Sequence, residues 1–338
     1  MDIYDEYVTP PELSGYARAA LQDRPENELS LADWFPYQPV NDLVYRFNRG
    51  GGGLLEAAEF RAYDAEPGFG AREGISRVTG ELPPIGQQYV LDEYNNLRLR
   101  NAGEEIRNLL LRDAARIAKQ IDIRMEYARA EALVSATVTL NERGVQATVD
   151  FARSGTHSVT AAVAWSDHAT STPISDLQAW SDTYAETNGQ RPGAILMSLQ
   201  ARGHLLRNAE VQGQVFPLAA TAPQVTVTQL NTVLADFDLP PITVYDAKAR
   251  RAGTVQRYIA ADKVLLLPPR GNALGATLYG TTLEAQEPEY GFGGADLPGL
   301  VVGAFKQKTT PIRVFTIGSA IALPILGDPD LSFVADVL

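Results

Sequence analysis

GEEIRNLLLRDAARIAKQIDIRMEYARAEALV, residues 103–134, runs directly into SATVTLNERGVQATVDF, residues 135–151, and this succession decides how the chain folds. In the first stretch Ile106, Leu110, Ala114, Ile117, Ile121, Met125 and Ala128 recur every three or four residues, which marks one buried stripe on a single long helix. At a rise of about 1.5 Å per residue the helix spans roughly 48 Å. In the second stretch Ala136, Val138 and Leu140 alternate with polar residues up to Asn141-Glu142-Arg143-Gly144, and Val145, Ala147, Val149 and Phe151 alternate beyond it. Period-two patterning of this length predicts a hairpin with one wet and one buried face, the latter available to cover the helix stripe. The remaining helix faces mix Arg107, Arg112, Arg116, Lys119, Arg124 and Arg129 with Glu104, Glu105, Asp113, Asp122, Glu126 and Glu131, the ordinary pattern of a solvated helix surface.

Upstream lies a segment of different character. Gly50 to Gly53 give a permissive, hinge-like backbone. Leu55–Tyr63 and Arg72–Thr79 then flank the turn-forming run Pro67-Gly68-Phe69-Gly70, which predicts a long two-stranded ribbon. Its strands are polar, with little apolar area for a core of their own, and an isolated ribbon is marginal in water. Such a ribbon either flops or is held by something outside its own fold. Balanced charges suit a register-setting contact with a neighbour, so Arg46, Arg49, Glu56, Glu59, Arg61, Glu66, Arg72, Glu73 and Arg77 are the candidate inter-subunit residues. Residues 1–42 read as an extended acidic arm with one short helix, opened by Thr9 as cap, Pro10 and the capping-box Glu12, and running towards Leu21. The plain alternative for this arm is a solvated tail.

Downstream, residues 172–300 read as a mixed lobe. Ser175 is placed to cap a helix carrying Leu177, Trp180 and Tyr184 and ending at Gly189; Ala194–Leu199 reads as a strand; Thr228 is placed to cap a helix with Leu230, Val233, Leu234 and Phe237. Ile242–Tyr245 and Val264–Leu267 are short strands around a basic group, Lys248, Arg250, Arg251, Arg257 and Lys263, which reads as a solvated hairpin or as part of a partner contact. Ile312–Ile317, Ala320–Ile325 and Leu331–Val337 follow as strands broken by Gly318 and by Asp328-Pro329-Asp330. The fold class is α+β.

Composition narrows the chemistry. The 41 acidic and 29 basic residues leave a formal charge of −12, which repels phosphate backbones and anionic lipid. With no cysteine there are no disulfides, thiolate metal sites or cysteine nucleophiles, as suits a reducing compartment. The acidic start MDIYDEYVTPPEL lacks the basic and apolar regions of a secretory signal. The apolar runs are far shorter than the ~20 residues a membrane helix needs.

No motif for catalysis completes itself. Gly53 is followed by Leu54-Leu55 rather than the Lys-Ser/Thr of a phosphate loop, and neither Gly68-Phe69-Gly70 nor Gly291-Phe292-Gly293-Gly294 completes a dinucleotide fingerprint. His157, His168 and His204 fit no zinc spacing and read as surface or turn residues. Ser166-Asp167-His168 cannot relay a proton, because neighbours in an extended chain point to opposite faces. Asp328-Pro329-Asp330 lacks the alternating ligands of a calcium loop and reads as a turn. No catalytic, cofactor-binding or metal residue is expected.

The order of elements, together with ATVTLNERGVQATVDF, ISDLQAWSDTYAETNGQRPGAILMSL and PIRVFTIGSAIALPILGDPDLSFVADVL, resembles the lambda-like major capsid proteins of tailed bacteriophages, the E family. The likeness covers nearly the whole chain. It implies the tailed-phage major capsid fold: an N-arm (1–42), an extended loop lying over an adjacent subunit (43–83), a peripheral domain (84–171) with its spine helix (103–134), an axial domain (172–300) and C-terminal strands returning to the peripheral domain (301–338). It also implies self-assembly into pentamers and hexamers of a virion shell, made in the host cytoplasm around a scaffolding protein, with a portal, sometimes a decoration protein, and DNA as a non-specific neighbour. Some members weld their subunits through a lysine of the extended loop, but here no lysine precedes Lys119. An encapsulin-type nanocompartment uses the same fold around an enzyme. A soluble acidic hydrolase is the reading from another class, and a size measurement separates it from a shell protein.

Overall fold

A computed structural model describes residues 1–22, 29–49, 76–99, 101–142, 144–217, 224–251, 253–292 and 298–338. In chain order the elements are β1 (Asp2–Ile3), α1 (Pro10–Gln22), β2 (Tyr37–Pro39), β3 (Val44–Arg49), β4 (Ser76–Glu81), β5 (Pro84–Leu91), α2 (Glu93–Leu99), α3 (Gly103–Ser135), β6 (Thr137–Glu142), β7 (Val145–Asp150), β8 (Ser158–Thr160), α4 (Pro173–Asn188) and β9 (Ala194–Met197). They continue with α5 (Leu199–Leu205), α6 (Ala209–Val215), α7 (Val227–Asp236), β10 (Ile242–Val244), β11 (Lys248–Arg251), β12 (Thr254–Arg257), β13 (Lys263–Leu267), β14 (Gly275–Gly280), α8 (Leu283–Gln286), β15 (Val301–Gln307), β16 (Arg313–Leu326) and β17 (Phe333–Asp336).

The apolar stripe forms one uninterrupted helix, α3, with Glu104 and Glu105 in its first turn, where negative charge complements the helix dipole. At its other end Arg153 donates from Nη1 to the Leu133 carbonyl and from Nη2 to the Val134 carbonyl, both at 2.7 Å, and Ala136 turns the chain at φ 52°. The stripe is covered differently from the sequence expectation. From Ile106 to Ile121 it is buried with Leu13 and Ala17 of α1, Leu91, Val302, Val314 and Ala320. The β6–β7 hairpin covers only the far end, where Val138 and Phe151 are buried with Leu133 while Ala147 stays exposed.

Thr9 caps α1 as the sequence predicts, its hydroxyl accepting the Glu12 amide at 3.4 Å. Between Asp2 and Gln22 this arm lies against the body rather than standing as a solvated tail. Strand β1 pairs antiparallel with β15, Ser14 Oγ both donates to the Val302 carbonyl (3.1 Å) and accepts its amide (2.8 Å), and Arg18 Nε donates to the Leu300 carbonyl at 2.9 Å. Leu13 and Ala17 supply the apolar face that holds it there.

Among the described residues, β1-β15-β16-β14-β2 form one sheet with β5 added on β16, and β10-β9-β13-β17-β8 form a second. Gly318 does not break a strand: β16 is continuous over 14 residues. It is long because it has two sets of partners, β5 and β15 along its first part and β14 along its second. A Cβ at Gly318 would lie 2.3 Å from Ile117 Cγ2, so the glycine lets the sheet approach α3 closely. The lobes exchange strands, since β14 lies in the first sheet and β17 joins the second between β13 and β8.

Caps in the second lobe also shift from their expected places. Helix α4 begins after Thr172 with Pro173 at its start, because Glu210 accepts the Ile174 (2.7 Å) and Ser175 (3.2 Å) amides, and it ends at Gly189 (φ 72°). Thr226 rather than Thr228 caps α7, completing a capping box with Gln229. The apolar run after Ala194 stops at Met197, because Ser198 accepts the Ala201 amide at 2.9 Å and starts α5.

His157 is no surface residue. It is fully buried, its Nε2 2.9 Å from Thr187 Oγ1 and its ring beside Tyr184 and Phe333. Burial holds its imidazole below the ordinary value. The unfolded chain therefore takes up this proton near pH ~6.5 and the folded chain only at lower pH, so stability is lost as pH falls below about 6.5. Urea midpoints compared between wild type and His157→Gln should converge as the pH drops from about 7.5 to about 5.5. A constant difference between the two proteins would contradict this assignment.

Candidate self-association surface

Strands β3 and β4 form a ribbon of their own, and its root is fixed by the core. Tyr45 is 3% exposed and lies opposite Gly80, where a Cβ would sit 2.3 Å from the phenol oxygen. Leu82 is buried and donates its amide to the Leu43 carbonyl at 3.0 Å. Burial pushes the Tyr45 phenol up, so it stays neutral. From this root the register places Arg46 opposite Thr79, Arg77 opposite Asn48 and Arg49 opposite Ser76. The first strand therefore begins at Val44, ahead of the glycine run. Glu56, Glu59, Arg61, Glu66, Arg72 and Glu73, the expected strand 55–63 and the Gly50–Gly53 hinge lie outside the described residues.

The body beneath the ribbon is tied together by a buried polar junction that the sequence reading placed on a solvated face. The Arg129 and Glu126 side chains are 5% and 8% exposed and meet at 2.9 Å, with Asp122 also 3.4 Å from Arg129 Nη1. Glu126 Oε1 accepts from the Leu31 amide and from Tyr245 Oη, both at 2.8 Å, while Ser30 Oγ lies within 3.3 Å. Arg129 Nε donates to Thr277 Oγ1 at 3.0 Å, and Thr277 in turn donates to the Phe35 carbonyl at 3.0 Å. One cluster thus joins the N-terminal segment, α3, β14 and the residue after β10. Burial alone would pull the Arg129 guanidinium down, but Glu126 and Asp122 outweigh it and keep it charged. Burial and then the Glu126 carboxylate drive the Tyr245 phenol far up. The available signal was position: Glu126 and Arg129 each directly follow a residue of the apolar stripe, Met125 and Ala128.

Around the body several apolar side chains face solvent, among them Tyr94 (73% exposed) and Leu97 (60%) on α2, with Val90 and Leu43. Four residues of the basic group lie on the β11–β12 hairpin and Lys263 opens β13, and three of the five charges are matched. Arg251 bonds Glu142 and Lys263 bonds Asp336, each at 2.7 Å, and Arg257 pairs with Asp246. Tyr127 Oη lies 3.0 Å and 3.1 Å from the Ala249 and Gln256 carbonyls, which seats this hairpin on α3.

Asp167 accepts from Thr170 Oγ1 (2.6 Å) and the Ala169 amide (3.1 Å), closing its own turn rather than orienting a histidine. Asp330, in the turn Pro329–Leu331, accepts the Ser154 amide at 2.7 Å and so ties that turn to the segment before β8. His168 and His204, distant in sequence, are brought to 2.9 Å between ring nitrogens. Among the described residues no group of three or more His, Cys, Asp or Glu side chains gathers as metal ligands, and no helix is long and apolar enough to cross a membrane.

The family model described as phage major capsid protein E matches residues 37–337. A search of curated proteins finds no match. Among solved structures, a protein described as a prophage capsid protein of Escherichia coli CFT073 superposes with a TM-score of 0.67 at 14% identity, covering 98% of this chain and 99% of its own. A phage-related protein from Bordetella bronchiseptica RB50 gives 0.60 at 13% identity, covering 98% and 97%. An encapsulin of Synechococcus elongatus PCC 7942 gives 0.43 at 14% identity, covering 95% of each chain.

Proposed function

The chain belongs to the phage major capsid protein E family, and from that premise we propose that residues 43–83 lie over an adjacent subunit and set the register of the shell. The protein is a structural subunit that self-assembles into the icosahedral head shell of a bacteriophage, not an enzyme. One observation carries the assignment of the ribbon. Its root is locked by Tyr45 and Leu82, whereas the sequence beyond that root interleaves Glu56, Glu59, Glu66 and Glu73 with Arg61 and Arg72, charges that suit a register-setting contact with a neighbour.

In this reading α3 is the spine of a peripheral domain built on the sheet centred on β16. The lobe around β9, β13 and β17 is the axial domain that gathers at fivefold and sixfold positions, and residues 1–42 are the N-arm. The buried junction of Glu126 and Arg129 links the two lobes through Tyr245 and Thr277. Shells assemble in the host cytoplasm with a scaffolding protein and a portal, and a decoration protein is compatible with the outer surface. The charge of −12 keeps packaged DNA a neighbour rather than a ligand.

Expression of the chain with and without its scaffolding protein, followed by sedimentation and electron microscopy, tests this. Closed shells are expected. Because no lysine precedes Lys119, boiled and denatured shells should run as single chains. A small discrete oligomer would overturn the reading, and covalent ladders would overturn the absence of cross-links.

A further inference from the structure

We propose that the open edge of β5 pairs antiparallel with β5 of a second copy of this chain, about a two-fold axis of the shell. Strand β5 is bonded to β16 along one edge, and among the described residues no strand lies along the other. The Pro83 carbonyl accepts the Ala322 amide at 3.2 Å, and the register continues with Pro84 opposite Ile321. Backbone groups in an antiparallel pair point alternately towards and away from the partner strand. Ile85, Gln87, Tyr89 and Leu91 therefore direct theirs at β16, while Gly86, Gln88 and Val90 direct theirs outwards, as does Pro84 with its carbonyl alone. Side chains follow the same alternation. Leu91 is buried and Ile85 and Tyr89 pack on the core beneath α3, whereas Pro84, Gly86, Gln88 and Val90 are exposed.

Two features select a copy of this chain as the occupant. An unpaired edge of this length is a template for another strand, and folded proteins blunt such edges with charged side chains, bulges or a covering element. Here no charged residue lies between Glu81 and Asp92, so in a chain of formal charge −12 a copy meets no like charge along this strand. The edge is also self-complementary. With Gln88 on the axis, Gly86 lies opposite the partner's Val90, so the bulky outward side chain meets the position that has none, and the two Gln88 side chains face each other. About six backbone hydrogen bonds form across such an axis. The same register carries α2 of the second copy, with its exposed Tyr94 and Leu97, towards Leu43 at the ribbon root, which is exposed as well. This contact rests on the chain being a shell subunit, but not on where residues 43–83 lie.

Because the chain has no cysteine, Gln88→Cys places a single thiol of each copy on the axis, where paired Cα atoms are about 5.5 Å apart and within disulfide reach. Mild oxidation of closed Gln88→Cys shells should give disulfide-linked dimers on a non-reducing denaturing gel. Val90→Cys shells should give single chains, since the register separates those thiols by more than about 13 Å. Closed Gln88→Cys shells that yield only single chains overturn the proposal, and so do dimers formed equally well by both variants. Hydrogen exchange of the wild type avoids dependence on variant assembly: the Gly86, Gln88 and Val90 amides should exchange at least about tenfold more slowly in shells than in free subunits. Equal exchange overturns the pairing, and protection without Gln88→Cys dimers overturns the two-fold register, because another segment then covers the edge. A wild-type chain that forms no shells overturns the shell assignment itself, and this contact falls with it.

Discussion

Removal of residues 50–75, with Arg49 and Ser76 joined by a short Asn-Gly turn, is expected to abolish closed shells while leaving the body folded. The root of the ribbon survives this deletion, since Tyr45 and Leu82 stay in the core and the pairs from Val44–Glu81 to Arg49–Ser76 remain to be joined. Asn-Gly closes a two-residue turn whose twist matches the strands. What is lost is the segment proposed to lie over an adjacent subunit, together with the charges available to fix register against a neighbour. Thermal unfolding should shift little, on the scale of an exposed-surface change of less than about 1 kcal/mol. Sedimentation should move from shells to free subunits or capsomers. Shells at wild-type yield would show that the ribbon is dispensable, and a collapse of the melting transition would show that it belongs to the body.

Glu126→Ala is expected to have the largest effect on stability. It leaves Arg129 buried and charged without its principal partner, and removes the acceptor for the Leu31 amide and Tyr245 Oη together. Breaking a buried ion pair from one side costs about 3–5 kcal/mol, against a total stability of roughly 5–15 kcal/mol for a domain. Urea unfolding should show a loss of that size, accompanied by poor soluble yield. The double replacement Glu126→Met with Arg129→Met should recover part of it, because no buried guanidinium is then left without Glu126, while the Leu31 amide and Tyr245 Oη still lack their acceptor and Asp122 loses its arginine. A loss below about 1 kcal/mol in the single variant would mean that the junction is solvated.

Much of the architecture was legible in the sequence because it rests on local periodicity. The stripe from Ile106 to Ala128 specified α3, and the alternation around Asn141-Glu142-Arg143-Gly144 specified β6 and β7. What escaped depends on distant partners. Gly318 reads locally as a breaker, and only Ile117 packing against it reveals a site of close approach within one continuous strand. Ser175 and Thr228 are as plausible caps as Thr172 and Thr226, and the choice is made by Glu210 and Gln229. Glu126 and Arg129 look like members of a mixed-charge helix face until Leu31, Tyr245 and Thr277 close over them. The pairing of His168 with His204 bridges 36 residues and has no spacing signature. The ribbon is the converse case. Its charges made it stand out in the sequence, while its partner is a proposal about residues outside the described ones.

A reconstruction of assembled shells by electron cryomicroscopy at side-chain resolution tests the central claim most directly. The density for residues 50–75 should leave the root at Tyr45 and Leu82 and cross onto the neighbouring subunit, with its arginines and carboxylates matched there. Density folded back over the same subunit, leaving the neighbour untouched, would contradict the account.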